Sequence, residues 1–585
     1  MNYVKPRQAK TDKDPIDRIA ILRIVLLAIG AILIGRLFYI QIIKHDYYQA
    51  QALAEHIKKF EISAPRGIIR LSDGNNSVPI VLNEQKYTIY ADPQYIENTQ
   101  ETASKLVSLI GGKQEDIQKK LESRSRYVIL AKKMTKDQAN RVEALQLKGI
   151  GKQEVNVRTY PQGQLASQVL GFVNDDGKGQ YGIEEYLNDE LGGQTGLEKA
   201  VTDVRGIPLA VNNDNILKPA IPGQDVTLTI DIGMQRIAEE ALKNGIDRTK
   251  AVRGSVVIIE ANTGAIKAMA NYPTYDPSQY DKISDISVFT NNTVTGAWEP
   301  GSVAKPLLMG AAFTEGTATP DTTYFDPGYV QIDDRKITNS INWGAQTMSL
   351  HDVINKSLNT GAVFTLKTLG GGEINAKARQ TWYEFLVNHY QFGKTTGVEQ
   401  SGESKGVISG PNEGYGLNVR YANMAFGQGM TVTPLQLAAA YTALVNGGTY
   451  YKPTLVAARQ INGKTETFKP EVVKTGVVSG QASEQVRGLL TTSLGLNNKA
   501  ALREGYALGA KSGTAQEADA NGNYKSDAHN GVYSGFIGGD KPQYVMVVRL
   551  DEPKTAGFAS GEAAKTWAEI SNKIIDNFAL KPKSS

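Results

Sequence analysis

Cysteine is absent from the 585 residues, which removes disulfides, thiolate nucleophiles and cysteine-based metal centres together. Histidine is scarce: there are five, and none forms an H-E-x-x-H pair, which speaks against a zinc hydrolase. Charge of one sign is not in excess either. The 64 Lys and Arg against 60 Asp and Glu leave +4, too little for this length to call for a nucleic-acid partner. Neither a fixed-period repeat nor a low-complexity block occurs. Long apolar runs are short as well. The uninterrupted N-terminal stretch runs only from Ile24 to Gly35, between Arg23 and Arg36. A spanning helix needs roughly 20 residues.

What is present describes a large folded chain. At 41% hydrophobic and 21% charged the composition is globular, and the length calls for several domains. Residues 1–18 form a polar tail carrying Lys5, Arg7, Lys10, Lys13 and Arg18. The apolar stretch at 19–43 follows. Arg23 can snorkel, and Phe38 and Tyr39 suit the outer headgroup zone. The nearest A-x-A patterns, Ala50-Gln51-Ala52 and Ala52-Leu53-Ala54, lie well past the apolar core. An uncleaved signal-anchor is therefore favoured over a cleaved signal peptide. The basic tail places the N-terminus in the cytoplasm and the remainder outside the plasma membrane.

Residues 44–222 alternate short apolar runs with Gly, Pro and Asp turns, an elongated α+β pattern with helices predicted near Glu101–Ile110 and Lys136–Leu145. Asp231 is placed to cap a helix from Ile232 to Lys243. A strand is predicted over 254–260. From there to 579 the chain reads as one α/β unit, with a polar tail at 580–585.

One Ser-x-x-Lys occurs, Ser302-Val303-Ala304-Lys305. About two such patterns are expected by chance at this length, so its context matters. Trp298-Glu299-Pro300-Gly301 precedes it, and an apolar, helix-compatible run from Pro306 to Phe313 follows. On a first helical turn the lysine lies on the serine's face. A serine hydroxyl needs a neighbouring base. Lysine can be that base only when neutral, its pKa brought down from about 10.4 by burial and a second cation.

Ser-x-x-Lys, then Ser-x-Asn, then Lys-[Ser/Thr]-Gly, in that order, resembles the penicillin-binding protein and serine β-lactamase superfamily. Ser357-Leu358-Asn359 ends a predicted helix over 350–356 and is preferred to Ser340-Ile341-Asn342, which lies in a polar loop. Lys511-Ser512-Gly513-Thr514 follows Tyr506-Ala507-Leu508-Gly509-Ala510, where a strand is predicted to begin. It is preferred to Lys474-Thr475-Gly476, which leads into a helix-like stretch over 483–494. Strands are also predicted over 533–537 and 544–550, after a turn at Asn521-Gly522-Asn523. Nearer the N-terminus, Ala64-Pro65-Arg66-Gly67, Arg158-Thr159-Tyr160-Pro161, Leu170-Gly171-Phe172-Val173 and Gly182-Ile183-Glu184 resemble the class B pedestal.

The resemblance implies a multi-domain α/β chain: an N-terminal transmembrane helix, an elongated pedestal of the dimerisation type, and a transpeptidase domain with a central antiparallel sheet flanked by helices, serine β-lactamase-like. It implies a D,D-transpeptidase with Ser302 as nucleophile, Lys305 as base, Ser357 relaying a proton, Asn359 orienting Lys305 and the substrate amide, and Lys511 supplying positive potential. Ser512, Gly513 and Thr514 would bind the substrate, the hydroxyls of Ser512 and Thr514 holding its terminal carboxylate. The backbone N–H groups of Ser302 and Thr514 would form the oxyanion hole. No metal or organic cofactor is implied. Expected partners are stem peptides ending in D-Ala-D-Ala, β-lactams and a multi-span membrane glycan polymerase. Asn359 and the short pedestal lean towards a division-type rather than an elongation-type enzyme. A β-lactamase or β-lactam sensor, and a non-catalytic cell-wall scaffold retaining the fold, are the alternatives.

Overall fold

The computed structural model describes residues 18–44, 59–199, 216–461, 463–518, 524–554, 558–578 and 580–583. Most of the basic tail, the two A-x-A patterns and the turn Asn521-Gly522-Asn523 lie outside the described residues. Residues Arg18–Phe38 form an α-helix, continued by a π-helical turn at Tyr39–Ile43. Among the described residues no helix is long and apolar enough to cross a membrane. The expected transmembrane helix thus has no support from one long uninterrupted apolar run. Arg23 and Arg36 bracket an apolar run of twelve residues, Ile24 to Gly35. At 1.5 Å rise that run spans about 18 Å, against roughly 30 Å of hydrocarbon.

The chain divides into two compact units. The smaller comprises Met1–Ser63, Tyr87–Gln153 and Thr195–Ala220. Its core gathers Leu106, Ile117, Leu121 and Val142 from the amphipathic helices Thr99–Ile110, Gln114–Leu121 and Lys136–Ala144 against Tyr87, Ile89 and Leu130. Thr135 and Gln138 form a reciprocal capping box at the third helix, satisfying donors that a helix start leaves open.

The larger unit comprises Ala64–Lys86, Glu154–Gln194 and Ile221–Ser585. It holds a five-stranded, wholly antiparallel sheet. Its strands are β1 (Arg253–Glu260), β2 (Ile266–Tyr272), β3 (Ala507–Ala518), β4 (Tyr524–Gly538) and β5 (Pro542–Asp551), in spatial order β2-β1-β5-β4-β3. Both faces are covered. Val256 and Ile258 pack with Trp567, Ile570 and Leu242, whereas Val257 and Ile259 face the opposite core with Leu307, Leu435 and Leu489. This is why β1 reads as one continuous apolar run. The helices are α1 (Ile232–Thr249), α2 (Lys305–Thr314), α3 (Leu350–Asn355), α4 (Asn359–Leu369), α5 (Pro434–Val445), α6 (Gly480–Asn497) and α7 (Ala559–Asn577). Asp231 caps α1 as expected, accepting from the N–H groups of Gly233 and Met234 at 2.9 and 3.1 Å. Helix α5 is buried at every position, which fits an element apolar all round.

The pedestal motifs at Arg66, Arg158 and Glu184 meet in one buried cluster. Glu184 is fully buried and accepts from Arg66 Nε at 2.6 Å and Arg158 Nε at 2.7 Å. Arg66 also donates to the Glu184 carbonyl at 2.9 Å and to Asn188 Oδ1 at 3.2 Å. Removing one partner of such a cluster strands charge away from water. Glu184→Gln is therefore expected to destabilise the protein by about 3–5 kcal/mol. Urea unfolding of variant and wild type measures this, and a loss within error of zero contradicts it.

Candidate active site

The Ser302 turn is shaped by Pro306. Proline lacks an N–H, so the carbonyl of Ser302 has no donor four residues on. It accepts instead from the N–H of Lys305, and Gly301–Ala304 form a 3-10 turn leading into α2. Buried tyrosines bind the next carbonyls: Tyr441 donates to Val303 O at 2.6 Å and Tyr390 to Leu307 O at 2.7 Å. Ahead of the turn, Trp298 and Val432 exchange two backbone hydrogen bonds at 3.0 Å each, and Gly301 N–H donates to Gly427 O at 3.0 Å. Gly301 has a φ of 61°. A Cβ there would sit 2.8 Å from Thr514 O, and one on Gly427 would sit 2.1 Å from Gly301 O. The turn, the 427 loop and strand β3 therefore touch backbone to backbone, which only glycine permits.

Strand β3 is the outer strand of the sheet and carries Lys511, Ser512, Gly513 and Thr514. Lys511 is buried, whereas Ser512 and Thr514 are half-buried. Gly513 packs under the turn, its Cβ position 3.0 Å from Pro300 O. The second motif joins α3 to α4. Ser357 has a φ of 58°, an uncommon conformation for a residue with a side chain. Its carbonyl accepts from Lys305 Nζ at 2.7 Å, and its Oγ lies 3.3 Å from the same nitrogen.

Three motifs so converge on two amines. Lys305 Nζ also donates to Asn359 Oδ1 at 2.9 Å. Lys511 Nζ lies 3.0 Å from Ser357 Oγ and 2.9 Å from Ser512 O. One serine hydroxyl thus bridges both lysines. Lys305 is 0% and Lys511 1% exposed, and among the described residues neither forms a salt bridge. Burial, and after it the charge of Lys511, holds the Lys305 amine well below the ordinary lysine value. Burial pushes Lys511 down to about 7. Ser302 is half-buried. Among the described residues its hydroxyl has no hydrogen-bond partner, Lys305 included. A neutral amine donates twice and accepts once. Its donors go to Ser357 O and Asn359 Oδ1, which leaves one lone pair able to accept a proton, with Ser357 Oγ 3.3 Å away.

The chain matches the pattern described as "Penicillin binding protein transpeptidase domain" over residues 254–576 and "Penicillin-binding Protein dimerisation domain" over 61–228. The chain belongs to the penicillin-binding protein transpeptidase family. Among its relatives is the Stage V sporulation protein D of Bacillus subtilis, 29% identical over 94% of this chain and 84% of that protein. Another is the peptidoglycan D,D-transpeptidase FtsI homolog of Mesostigma viride, 28% identical over 95% of each. Penicillin Binding Protein 2X of Streptococcus thermophilus superposes with a TM-score of 0.71 at 25% identity, over 89% of this chain and 80% of that one. It is a two-domain penicillin-binding protein fold.

The alternative motif positions lie elsewhere. Lys474 ends a short strand, Val472–Lys474, paired with Tyr450–Tyr451. Ser340-Ile341-Asn342 occupies an exposed loop between strands Arg335–Thr338 and Gln346–Ser349. The motifs alone do not point to Tyr390 or Tyr441, which shape the turn from far along the chain.

The depressed Lys511 has a consequence for stability. Between about 10.5 and about 7 the unfolded chain holds a proton on this residue that the folded chain lacks. Stability therefore falls as pH falls through that window and levels off below it. Lys511→Met removes one proton's share of that slope, about 1.4 kcal/mol per pH unit. Denaturant unfolding at a series of pH values between the two limits measures it. An unaltered slope contradicts burial as the cause.

Proposed function

We propose that this penicillin-binding protein is a peptidoglycan D,D-transpeptidase working through an acyl-enzyme on Ser302. The observation that carries the reading is the pair of buried amines, Lys305 and Lys511, sharing Ser357 Oγ beside the Ser302 turn. The substrates are stem peptides ending in D-Ala-D-Ala. β-Lactams bind the same site.

In this mechanism Lys305 takes the Ser302 proton as the oxygen attacks the carbonyl between the two terminal D-alanines. A C–O bond forms, and the carbonyl oxygen becomes an oxyanion held by the N–H groups of Ser302 and Thr514. Preorganised donors of that kind lower a barrier by several kcal/mol. Ser357, hydrogen-bonded to both amines, passes a proton to the departing D-alanine nitrogen, and the C–N bond breaks. Asn359 holds the amine of Lys305, and Lys511 supplies positive potential while Ser512 and Thr514 hold the terminal carboxylate. Gly513 brings that strand against the turn. An amine of a neighbouring stem then displaces the ester and frees Ser302.

The same reading extends to the whole chain. The proposed division is a cytoplasmic tail at 1–18, an anchor at 19–43, a pedestal at 44–222, a transpeptidase domain at 223–579 and a tail at 580–585. The anchor would hold the protein in the plasma membrane by a single pass, with Arg23 and Arg36 snorkelling and the active site outside. A multi-span glycan polymerase is the proposed partner. Asn359 and the short pedestal support a division role.

Labelling with a fluorescent penicillin tests the chemistry. Wild type is expected to label covalently and Ser302→Ala not at all. Lys305→Arg, whose guanidinium stays charged, should label about 100-fold more slowly or worse. Labelling of Ser302→Ala at the wild-type rate contradicts the assignment of the nucleophile. In cells, a C-terminal reporter active only outside the cytoplasm should be active, and depletion should give filaments. An inactive reporter rejects the topology, and round cells reject the division role.

A further inference from the structure

The residue after Asn359 leads into a polar network that the proposed mechanism does not use. Thr360, in the first turn of α4, is buried, and its hydroxyl donates to Asp326 Oδ2 at 2.6 Å. The same oxygen accepts from Asn339 Nδ2 at 3.0 Å and from Tyr324 OH at 3.3 Å, and Oδ1 accepts from Gly328 N–H at 2.8 Å. Asp326 is 1% exposed. Among the described residues no lysine or arginine pairs with it. Asn339 Oδ1 in turn accepts from the N–H of Thr360 at 3.1 Å. One residue earlier, the carbonyl of Thr338 accepts from Asn359 Nδ2 at 3.1 Å. The Asn359 amide is therefore clamped at both ends, Nδ2 on Thr338 and Oδ1 on Lys305.

We propose that Asp326 is a positioning residue for acyl transfer: through Thr360 and Asn339 it fixes the Asn359 amide and thereby the direction in which the Lys305 amine presents its lone pair. The proposal rests on the transpeptidase reading and deepens it. The chemistry demands a carboxylate. All four groups facing Asp326 act as donors, and an ionised carboxylate is the side chain that only accepts. An asparagine of the same shape would turn its NH₂ either on the three donors at Oδ2 or on the N–H of Gly328. A buried carboxylate without a cation is costly, more than a plain Asp-Pro-Gly turn requires. Gly361 makes room for the network, since a Cβ there would lie 2.6 Å from Tyr324 OH.

The test is acylation of the full chain by a fluorescent penicillin over a concentration series, which separates the Kd of the first complex from the acylation rate constant. Asp326→Asn is expected to lower the rate constant about tenfold or more with Kd within about twofold. Thr360→Val should do the same, and Thr360→Ser, which keeps the hydroxyl, should stay within about twofold of wild type. A wild-type rate constant in Asp326→Asn overturns the proposal. So does an equal loss in Thr360→Ser and Thr360→Val, and that pair decides alone if Asp326→Asn does not fold by near-ultraviolet circular dichroism. Wild type that fails to label overturns the transpeptidase reading and this proposal together, a result distinct from any confined to the variants.

Discussion

Two lysine amines are withdrawn from water onto one serine hydroxyl, with no carboxylate in the described residues to neutralise either. Everything else at the site follows from that constraint. An ammonium group leaves water only at a large free-energy cost, and a protein avoids much of it by giving up the proton. The same burial that threatens the fold leaves an amine able to accept a proton. Had evolution placed an aspartate beside Lys305, the pair would be easier to bury and the amine would stay charged, unable to serve as the proposed base.

Such a site needs a rigid surround, because a loosened one would let water in. The surround is built from backbone contacts as much as from side chains. The backbones of Gly301, Gly427 and Thr514 meet at distances that exclude a Cβ on either glycine, and tyrosines from two other segments bind the carbonyls of Val303 and Leu307. Helix α5, apolar all round, supplies Tyr441 from the middle of the larger core. Natural active sites commonly trade stability for function in this way. Here the unfavourable burial of Lys305 and Lys511 is offset by the extensive core around them.

Local chemistry made much of this legible. The cap at Asp231, the continuous apolar run of β1 and the helix preceding Ser357 each have a cause within a few residues, and each was readable there. So was the choice between paired motif candidates, because the rejected Lys474 and Ser340 sit in the wrong local setting. What resisted reading depends on distant partners. Asp326-Pro327-Gly328 reads as an ordinary turn, and nothing nearby hints that its carboxylate meets Thr360, 34 positions on. Ser302 was expected on a first helical turn and lies on a 3-10 turn instead. The missing N–H of Pro306 is the cause. The N-terminal helix shows the opposite limit: its residues read as apolar, yet the arginines confine its uninterrupted apolar run to Ile24–Gly35.

The larger unit is discontinuous in the chain, and that has a temporal consequence. Strand Ile69–Asp73 lies parallel to Val226–Asp231, which in turn pairs with Val456–Ile461. As a ribosome releases the polypeptide from its N-terminus, residues 64–86 emerge long before the strands that complete them. Residues 87–153 can collapse meanwhile, having a core of their own. The early strand's free edge must wait for Val226–Asp231, and that strand's other edge stays unpaired until Val456–Ile461 has appeared. Nascent chains of this architecture are thus obliged to remain partly open through most of their synthesis, an interval in which an unpaired edge invites misassociation.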